Sequence, residues 1–481
     1  MQITSIEFLI FFLTVLGIYY LCPPRGRYLV LLAAGLLFYG TQDYRCLPVL
    51  MAVAAVSWLL TGRAEELGST KAGKVCACLS VVFCLAVLGW FKYAGFLSGG
   101  RLGNGFLPVG ISFYIFQAVS YSVDVYKKKI RAEKNFLKYL LYLCFFPIVL
   151  SGPIERAGHL LPQFDEDHAS QIRFDTVRIR DGFVRILWGL FMKMVLADRI
   201  AGMVDTVYTD PAAYGGAMTA AASVMYTLQI YCDFAGYSHI AIGIGKSLGI
   251  EICENFKAPY LAVSVADFWR RWHISLSSWL RDYVYIPLGG NRKGQVRKMA
   301  NIMIVFLISG IWHGAGWTFI LWGLLHGIYQ VTGSQLQPVK TGIRKLLHIN
   351  EQADNMSLRV FRTAVTFTLV NAAWILFRAE SLSKAMLIMS RFRHPMFWQL
   401  MNGGLYSLGE SAPGVRLVLL GIIIVVFVDI LNERGVRISE WIADQRIWIR
   451  WPVYLFGILL VLLCGIWGPG YDAGSFIYYN F

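Results

Sequence analysis

Charge is scarce in this chain. Only 15% of its 481 residues are Asp, Glu, Lys or Arg, against about 25% in an ordinary soluble domain. Hydrophobic residues make up 57%, and the mean hydropathy is +0.54. A water-soluble globule is excluded, and a polytopic membrane protein is indicated. The first 24 residues hold no Lys or Arg. A cleavable secretory signal opens on a basic stretch, so none is expected. A cysteine framework is also lacking. The nine cysteines lie mostly in apolar runs, as Cys84, Cys232 and Cys464 do. Only Cys76 and Cys78 are close, in a C-x-C with no second cluster. They read as packing residues, with no disulfide set and no metal site. Acidic residues are in the minority, 29 against 44 Lys and Arg, giving a net charge of +15. No nucleic-acid-binding motif accompanies that charge. The basic residues fall in short loops between apolar runs, as the positive-inside bias of membrane proteins requires. No internal repeat, linker or second soluble domain is visible.

A bilayer core of about 30 Å takes roughly 20 apolar residues per helix, which allows about eleven spans here. The early runs are 6–22, 28–41, 46–61, 75–91 and 106–123. Later runs cover 139–150, 183–197, 216–250, 301–329, 360–378, 415–431 and 451–468. Arg25 and Arg27 follow the first run and place the N-terminus outside and the first loop in the cytoplasm. Two further basic loops agree in parity, one with Arg63, Lys71 and Lys74 and one with Lys127, Lys128, Lys129, Arg131 and Lys134. The expected fold is a single all-α integral-membrane domain, 1–481, with spans, interfacial helices and re-entrant segments. The C-terminal stretch 470–481 is short and aromatic.

Several places do not read as plain spans. Pro147 and Gly152-Pro153 break the run 139–150, and Glu155 and Arg156 follow at once. Irregular backbone at membrane depth is tolerated only inside protein or beside water. The segment is therefore re-entrant or pore-lining, or else it is an ordinary surface loop. His159, in the same stretch, shows no partner. The run 216–250 buries Asp233 and His239. A charge at mid-span costs about 2.5–3.5 kcal/mol on insertion scales, so Asp233 either orients a histidine or an arginine or belongs to a structural ion pair. GIGKSLG in the same run is no phosphate-binding loop. The first glycine of that pattern is Ile240, and no strand precedes it.

The chain is organised around Asp267–Gly316. Phe268, Trp269, Trp272, Leu276, Trp279 and Tyr283 recur at helical spacing among Asp267, Arg270, Arg271, Arg281 and Asp282. That pattern predicts one amphipathic helix, at the cytoplasmic interface or dipping into the protein, with Asp267 able to pair with Arg270 or Arg271 one turn on. His273 rides on it. His313 instead lies in 301–329, a run with no Asp, Glu, Lys or Arg. Gly310, Gly314 and Gly316 crowd around it, so two apolar halves are expected to meet there, with helix-end N–H groups available to an anion. His326 lies 13 residues on, roughly 20 Å along a continuous helix, and reads as a separate packing histidine. Imidazole in a dry pocket suits general-base chemistry. The residue types alone also leave transport along the histidines, or satisfied core histidines, open.

The runs QIYCDFAGYSHIAIGIGKSLGIEICENFKAPY, FWRRWHISLSSWLRDYVYIPLGGNRKG and GIWHGAGWTFILWGLLHG resemble the membrane-bound O-acyltransferase family. Residues 105–330 carry the likeness, which points to the branch concerned with alginate O-acetylation. The resemblance implies helices around a central tunnel, with His313 catalytic in its W-H-G motif. It makes His273, in R-W-H, the second functional histidine, and Asp233, Arg270, Arg271 and Trp312 supporting residues. It implies no permanently bound cofactor. The expected acyl donor is acetyl-CoA, approaching from the cytoplasm. The expected acceptor is an extracytoplasmic partner of SGNH-hydrolase type serving polysaccharide O-acetylation, in a bacterial plasma membrane. The alternative within the family is D-alanyl transfer from a carrier protein to teichoic acid. A transporter or a scaffold for a polysaccharide synthase are the rivals outside it. His239 stands where the family pattern has an acid, so no role is carried onto it.

Overall fold

The computed structural model describes residues 1–102, 106–337, 341–342 and 356–467. The C-terminal stretch 470–481 and most of 333–357 lie outside the described residues. Every regular element among the described residues is helical. Six helices there are long and apolar enough to cross a membrane: Cys46–Leu67, Lys71–Leu97, Gly294–His313, Met356–Arg378, Ala412–Glu433 and Ile447–Cys464. The polytopic all-α class is therefore established.

The chain folds as two compact units. The first holds Met1–Phe191, Gly236–Glu254 and the helix Ile447–Cys464. Its apolar runs become the helices Ile6–Leu21, Arg27–Gln42, Cys46–Leu67, Lys71–Leu97 and Ile111–Tyr126. Ser5 and Thr70 cap two of them, accepting the N–H groups of Phe8 and Gly73, donors that a helix start leaves unpaired. Lipid offers no hydrophobic gain for packing helix on helix, so small and polar contacts do that work. Ser122 bonds both Thr61 and Ser80 at 2.8 Å, and Ser57 bonds Tyr139 at 2.8 Å. Each is worth about 0.6 kcal/mol.

The segment broken by Pro147 and Gly152-Pro153 is no surface loop. The helix Phe136–Cys144 ends, and the irregular chain from Phe145 to Glu155 is buried throughout, with Val149 and Ser151 fully enclosed. Gly110 (φ +74°) makes this fit, since a Cβ there would lie 2.1 Å from the Val149 carbonyl oxygen. Buried Glu155 accepts the Cys253 N–H at 2.6 Å, and its second oxygen meets His159 Nδ1 at 2.7 Å. His159, partnerless by sequence, is thus paired with a carboxylate. His239 accepts a hydrogen bond from Arg185 Nε at 3.3 Å, and Arg185 also pairs with Glu254 at 2.6 Å.

The second unit holds Met192–Ala235 and Asn255–Arg446. The helix Gly216–Leu248 gives its first part to this unit and its last to the other. The run 301–329 is interrupted as its glycines predict. Gly294–His313 ends, Gly314–Gly316 turn extended, and Trp317–Gln335 begins. The two helices pack backbone to backbone. A Cβ on Gly310 would come within 2.4 Å of the Phe319 carbonyl oxygen, and one on Gly323 within 2.3 Å of that of Phe306.

Candidate functional site

His273 and His313 belong to the second unit, and the fold brings their rings to 6.4 Å between centroids. Both are buried, at 0% and 2% exposure. The single amphipathic helix expected over Phe268–Tyr283 is broken at His273. Val265–Arg271 ends, His273 adopts φ 44°, ψ 53°, and Ile274–Leu280 starts anew. A left-handed conformation costs a non-glycine residue roughly 1–2 kcal/mol, so packing must hold it. Two backbone bonds do so: Lys257 N–H to the Arg271 carbonyl at 2.9 Å, and Ile274 N–H to the Asn255 carbonyl at 3.0 Å. Trp272 anchors the turn, stacked on Phe268 at 5.4 Å with Phe256, Tyr260 and Trp374 around it.

On the other side of the turn, His273 meets Phe234 edge-on at 4.7 Å and Trp312 at 5.9 Å. Its Nδ1 lies 3.2 Å from Asn255 Oδ1. His313 closes its helix and is walled by Trp312, Trp322 and Phe377, each about 5 Å away. Aromatic walls of this kind keep a pocket apolar. A polar group on a bound molecule then interacts with the imidazoles more strongly than it would in water.

The other expected site residues divide. Trp312 touches both histidines. The Asp233 carboxylate pairs with Lys193 at 2.5 Å, and Lys193 also reaches Asp198 at 2.7 Å, all three buried. The ion-pair alternative therefore describes Asp233, while its neighbour Phe234 packs on His273. Lys193 sits on a π-helical turn, Phe191–Ala197. Arg271 bonds Asp267 at 3.1 Å and Glu433 through two nitrogens at 2.6 and 3.0 Å. Arg270 is exposed, with Asp267 3.5 Å from its guanidinium. Arg271 thus ties its helix to Ala412–Glu433, whereas Arg270 pairs with Asp267 of its own helix. His326 packs between helices, fully buried. Trp269 Nε1 donates to its Nδ1 at 3.2 Å, and Trp322 stands 5.0 Å from both His326 and His313.

Sequence reasoning overlooked Lys193 and Asn255. Lys193 is a charge inside the run 183–197, and the argument applied to Asp233 would have flagged it. Asn255 carries no such signal, because an amide in a loop is unremarkable until its partners are seen. Among the described residues, no group of three or more His, Cys, Asp or Glu is placed to hold a metal.

The family model for the membrane-bound O-acyltransferases matches residues 67–339, which include His273, His313, Asn255, Phe234, Trp312 and Trp322 but neither Trp374 nor Phe377. The chain is 37% identical to the probable alginate O-acetylase of Pseudomonas syringae pv. tomato, covering 83% of this chain and 76% of that protein. It is 32% identical to the peptidoglycan O-acetyltransferase of Helicobacter pylori, over 76% of this chain and 73% of that protein. Identity to the teichoic acid D-alanyltransferase of Streptococcus thermophilus is 28%, over 56% of this chain and 68% of that protein. By both the family match and these long alignments, the chain belongs to the membrane-bound O-acyltransferase family.

Proposed function

We propose that this membrane O-acetyltransferase takes an acetyl group from acetyl-CoA on the cytoplasmic side of the bacterial plasma membrane. It passes the group toward an extracytoplasmic hydroxyl, on a partner of SGNH-hydrolase type, for O-acetylation of a cell-surface polysaccharide. The N-terminus lies outside the cytoplasm. The observation that carries this reading is the pair of buried imidazoles, 6.4 Å apart, in a chain whose long alignments are to O-acetylases. His313 takes the proton of the attacking hydroxyl as the new C–O bond forms. The thioester C–S bond then breaks, and the leaving thiolate takes that proton back. While protonated, the ring meets the partial negative charge of the last carbonyls of its own helix. The N–H end of Trp317–Gln335 supplies donors at the same break. His273 orients a reactant, and Trp312 fixes both rings.

Membranes given labelled acetyl-CoA should transfer the label. His313→Ala should lower transfer by about 10²–10⁴-fold, the usual contribution of a positioned base, while inserting normally. Wild-type transfer by a well-inserted His313→Ala protein would end this reading. Transfer from a D-alanyl-loaded carrier, with none from acetyl-CoA, would select the alternative within the family. Passage of an intact solute with no loss of acyl group from the donor would select a transporter. The acetyl reading is favoured because the alignments to O-acetylases are longer and closer than those to D-alanyltransferases.

A further inference from the structure

The Asn255 side chain is fully buried against the His273 turn, and its hydrogen bonds fix a proton. The Ser275 backbone N–H meets Asn255 Oδ1 at 3.2 Å, and the Ser275 hydroxyl donates to the same atom at 2.9 Å. A backbone N–H can only donate, so the atom it meets is the amide oxygen. The flipped amide would set NH₂ against N–H. An amide oxygen cannot donate. The His273 Nδ1 at 3.2 Å therefore carries the hydrogen of that contact, and in the neutral ring Nε2 holds the lone pair. A lone pair accepts from a hydroxyl and repels a carbonyl oxygen.

We propose that Asn255 is a positioning residue that holds His273 as a hydrogen-bond acceptor at Nε2 and so directs it to the hydroxyl of the acyl acceptor rather than to the carbonyl of the donor. The assignment rests on the acyltransferase reading above and goes past it by choosing which reactant His273 serves. The same residue stabilises the strained turn, since its backbone carbonyl accepts from Ile274 N–H while its side chain accepts from Ser275. One residue thus sets both the position and the tautomer of the ring. This is the orienting duty that a buried carboxylate performs behind the histidine of a hydrolase triad, done here by a neutral group.

The test is a set of pH–rate profiles, using labelled acetyl-CoA and membranes carrying wild type, Asn255→Asp, Asn255→Ala or His273→Ala, with insertion checked by size-exclusion in detergent. Among the described residues, the titratable groups around His273 include His313 on the Gly294–His313 helix, Asp233 beside Phe234, with its partner Lys193 and, through Lys193, Asp198, Tyr231 with Asp429, and Arg271, paired with Asp267 and Glu433. None of these is altered by the Asn255 variants. Asn255→Asp keeps the acceptor for Ser275 but puts a negative charge behind the ring. An adjacent opposite charge favours the protonated imidazole by about one to three pH units, and that form has no lone pair at Nε2. The acid limb of kcat should therefore move to higher pH by about one unit or more. Asn255→Ala should lower kcat by about tenfold or more, within the roughly 10²–10⁴ of a positioned acid–base group, and leave KM for acetyl-CoA unchanged. A well-inserted Asn255→Asp protein with the wild-type acid limb overturns the proposal, and so does an Asn255→Ala effect seen only in KM for acetyl-CoA. Should Asn255→Ala fail to insert, the Asn255→Asp limb decides alone. Wild-type transfer by His273→Ala is a different result: it removes His273 from the chemistry, and the Asn255 assignment falls with it. An inactive His273→Ala protein beside an unshifted Asn255→Asp limb removes only the Asn255 assignment.

Discussion

At the level of single residues, the energetically exposed feature is Lys193. It pairs with two buried carboxylates, Asp198 at 2.7 Å and Asp233 at 2.5 Å. Removing one partner of a buried ion pair typically costs about 3–5 kcal/mol, because a charge is left without compensation, whereas replacing the whole cluster by neutral groups is often close to neutral. Lys193→Met should therefore lower the detergent melting temperature sharply, and adding Asp198→Asn and Asp233→Asn should recover most of the loss. A triple variant as unstable as the single one would show that the cluster matters through its shape. The two histidines differ at this scale as well. His273 owes its place to a strained turn held by Asn255, and His313 owes its place to the end of a helix.

The elements that set the pocket are the helices on either side of the Gly314–Gly316 break. Gly310 lies one turn before His313, and a Cβ there would sit 2.4 Å from the Phe319 carbonyl oxygen. In an open helix, Gly→Ala stabilises by about 1 kcal/mol. Here the added methyl meets backbone, which cannot step aside as a flexible side chain would. Overpacking of that kind costs about 1–3 kcal/mol, so the clash wins. Gly310→Ala should lower both the melting temperature and acyl transfer, since parting the helices moves His313 from His273. Gly62 is the control, because a Cβ there would meet no atom within 4 Å. Gly62→Ala should leave transfer intact and stability equal or slightly higher. Equal behaviour of the two variants would refute the close-packing account. The amphipathic helix expected across Phe268–Tyr283 shows the limit of periodicity. The spacing of Phe268, Trp269, Trp272 and Leu276 is the same whether or not the chain turns at His273, because the turn is held by Asn255 and Lys257, remote in sequence from the pattern.

For the whole molecule, His159 is one of the groups outside the crossing helices that make stability depend on pH. The hydrogen bond to Glu155 raises the His159 pKa above its ordinary 6.5, against a smaller opposing effect of burial. A raised pKa in the fold means that the folded state binds the proton more tightly than the unfolded chain. The stabilisation is present in full below about pH 6.5 and is lost as pH rises through the raised value. His159 is half-exposed and its pair is screened by solvent, so the effect is modest. The melting temperature should fall as pH rises above that point, and His159→Gln should flatten that part of the curve. An unchanged slope in His159→Gln would assign the dependence to other groups.

Length, apolar runs and basic loops determined the class of this protein by themselves, because the bilayer demands the same thing of every span: enough apolar residues in sequence to cross it, with every backbone group bonded within the helix. The break at His313 was likewise legible, since glycines at 310, 314 and 316 leave few other ways for an uncharged run to pack. The motifs around His273 and His313 gave the family. The tertiary structure alone decided that the two rings lie 6.4 Å apart, that Asp233 pairs with Lys193, that His159 has Glu155 behind it, and that Asn255 meets His273. Three of the four depend on contacts between residues well separated in the chain, while Glu155 and His159, four apart, meet because the segment before them is buried. A hydrogen bond or ion pair is set by distances of about 3 Å, and those distances exist only once the helices have packed.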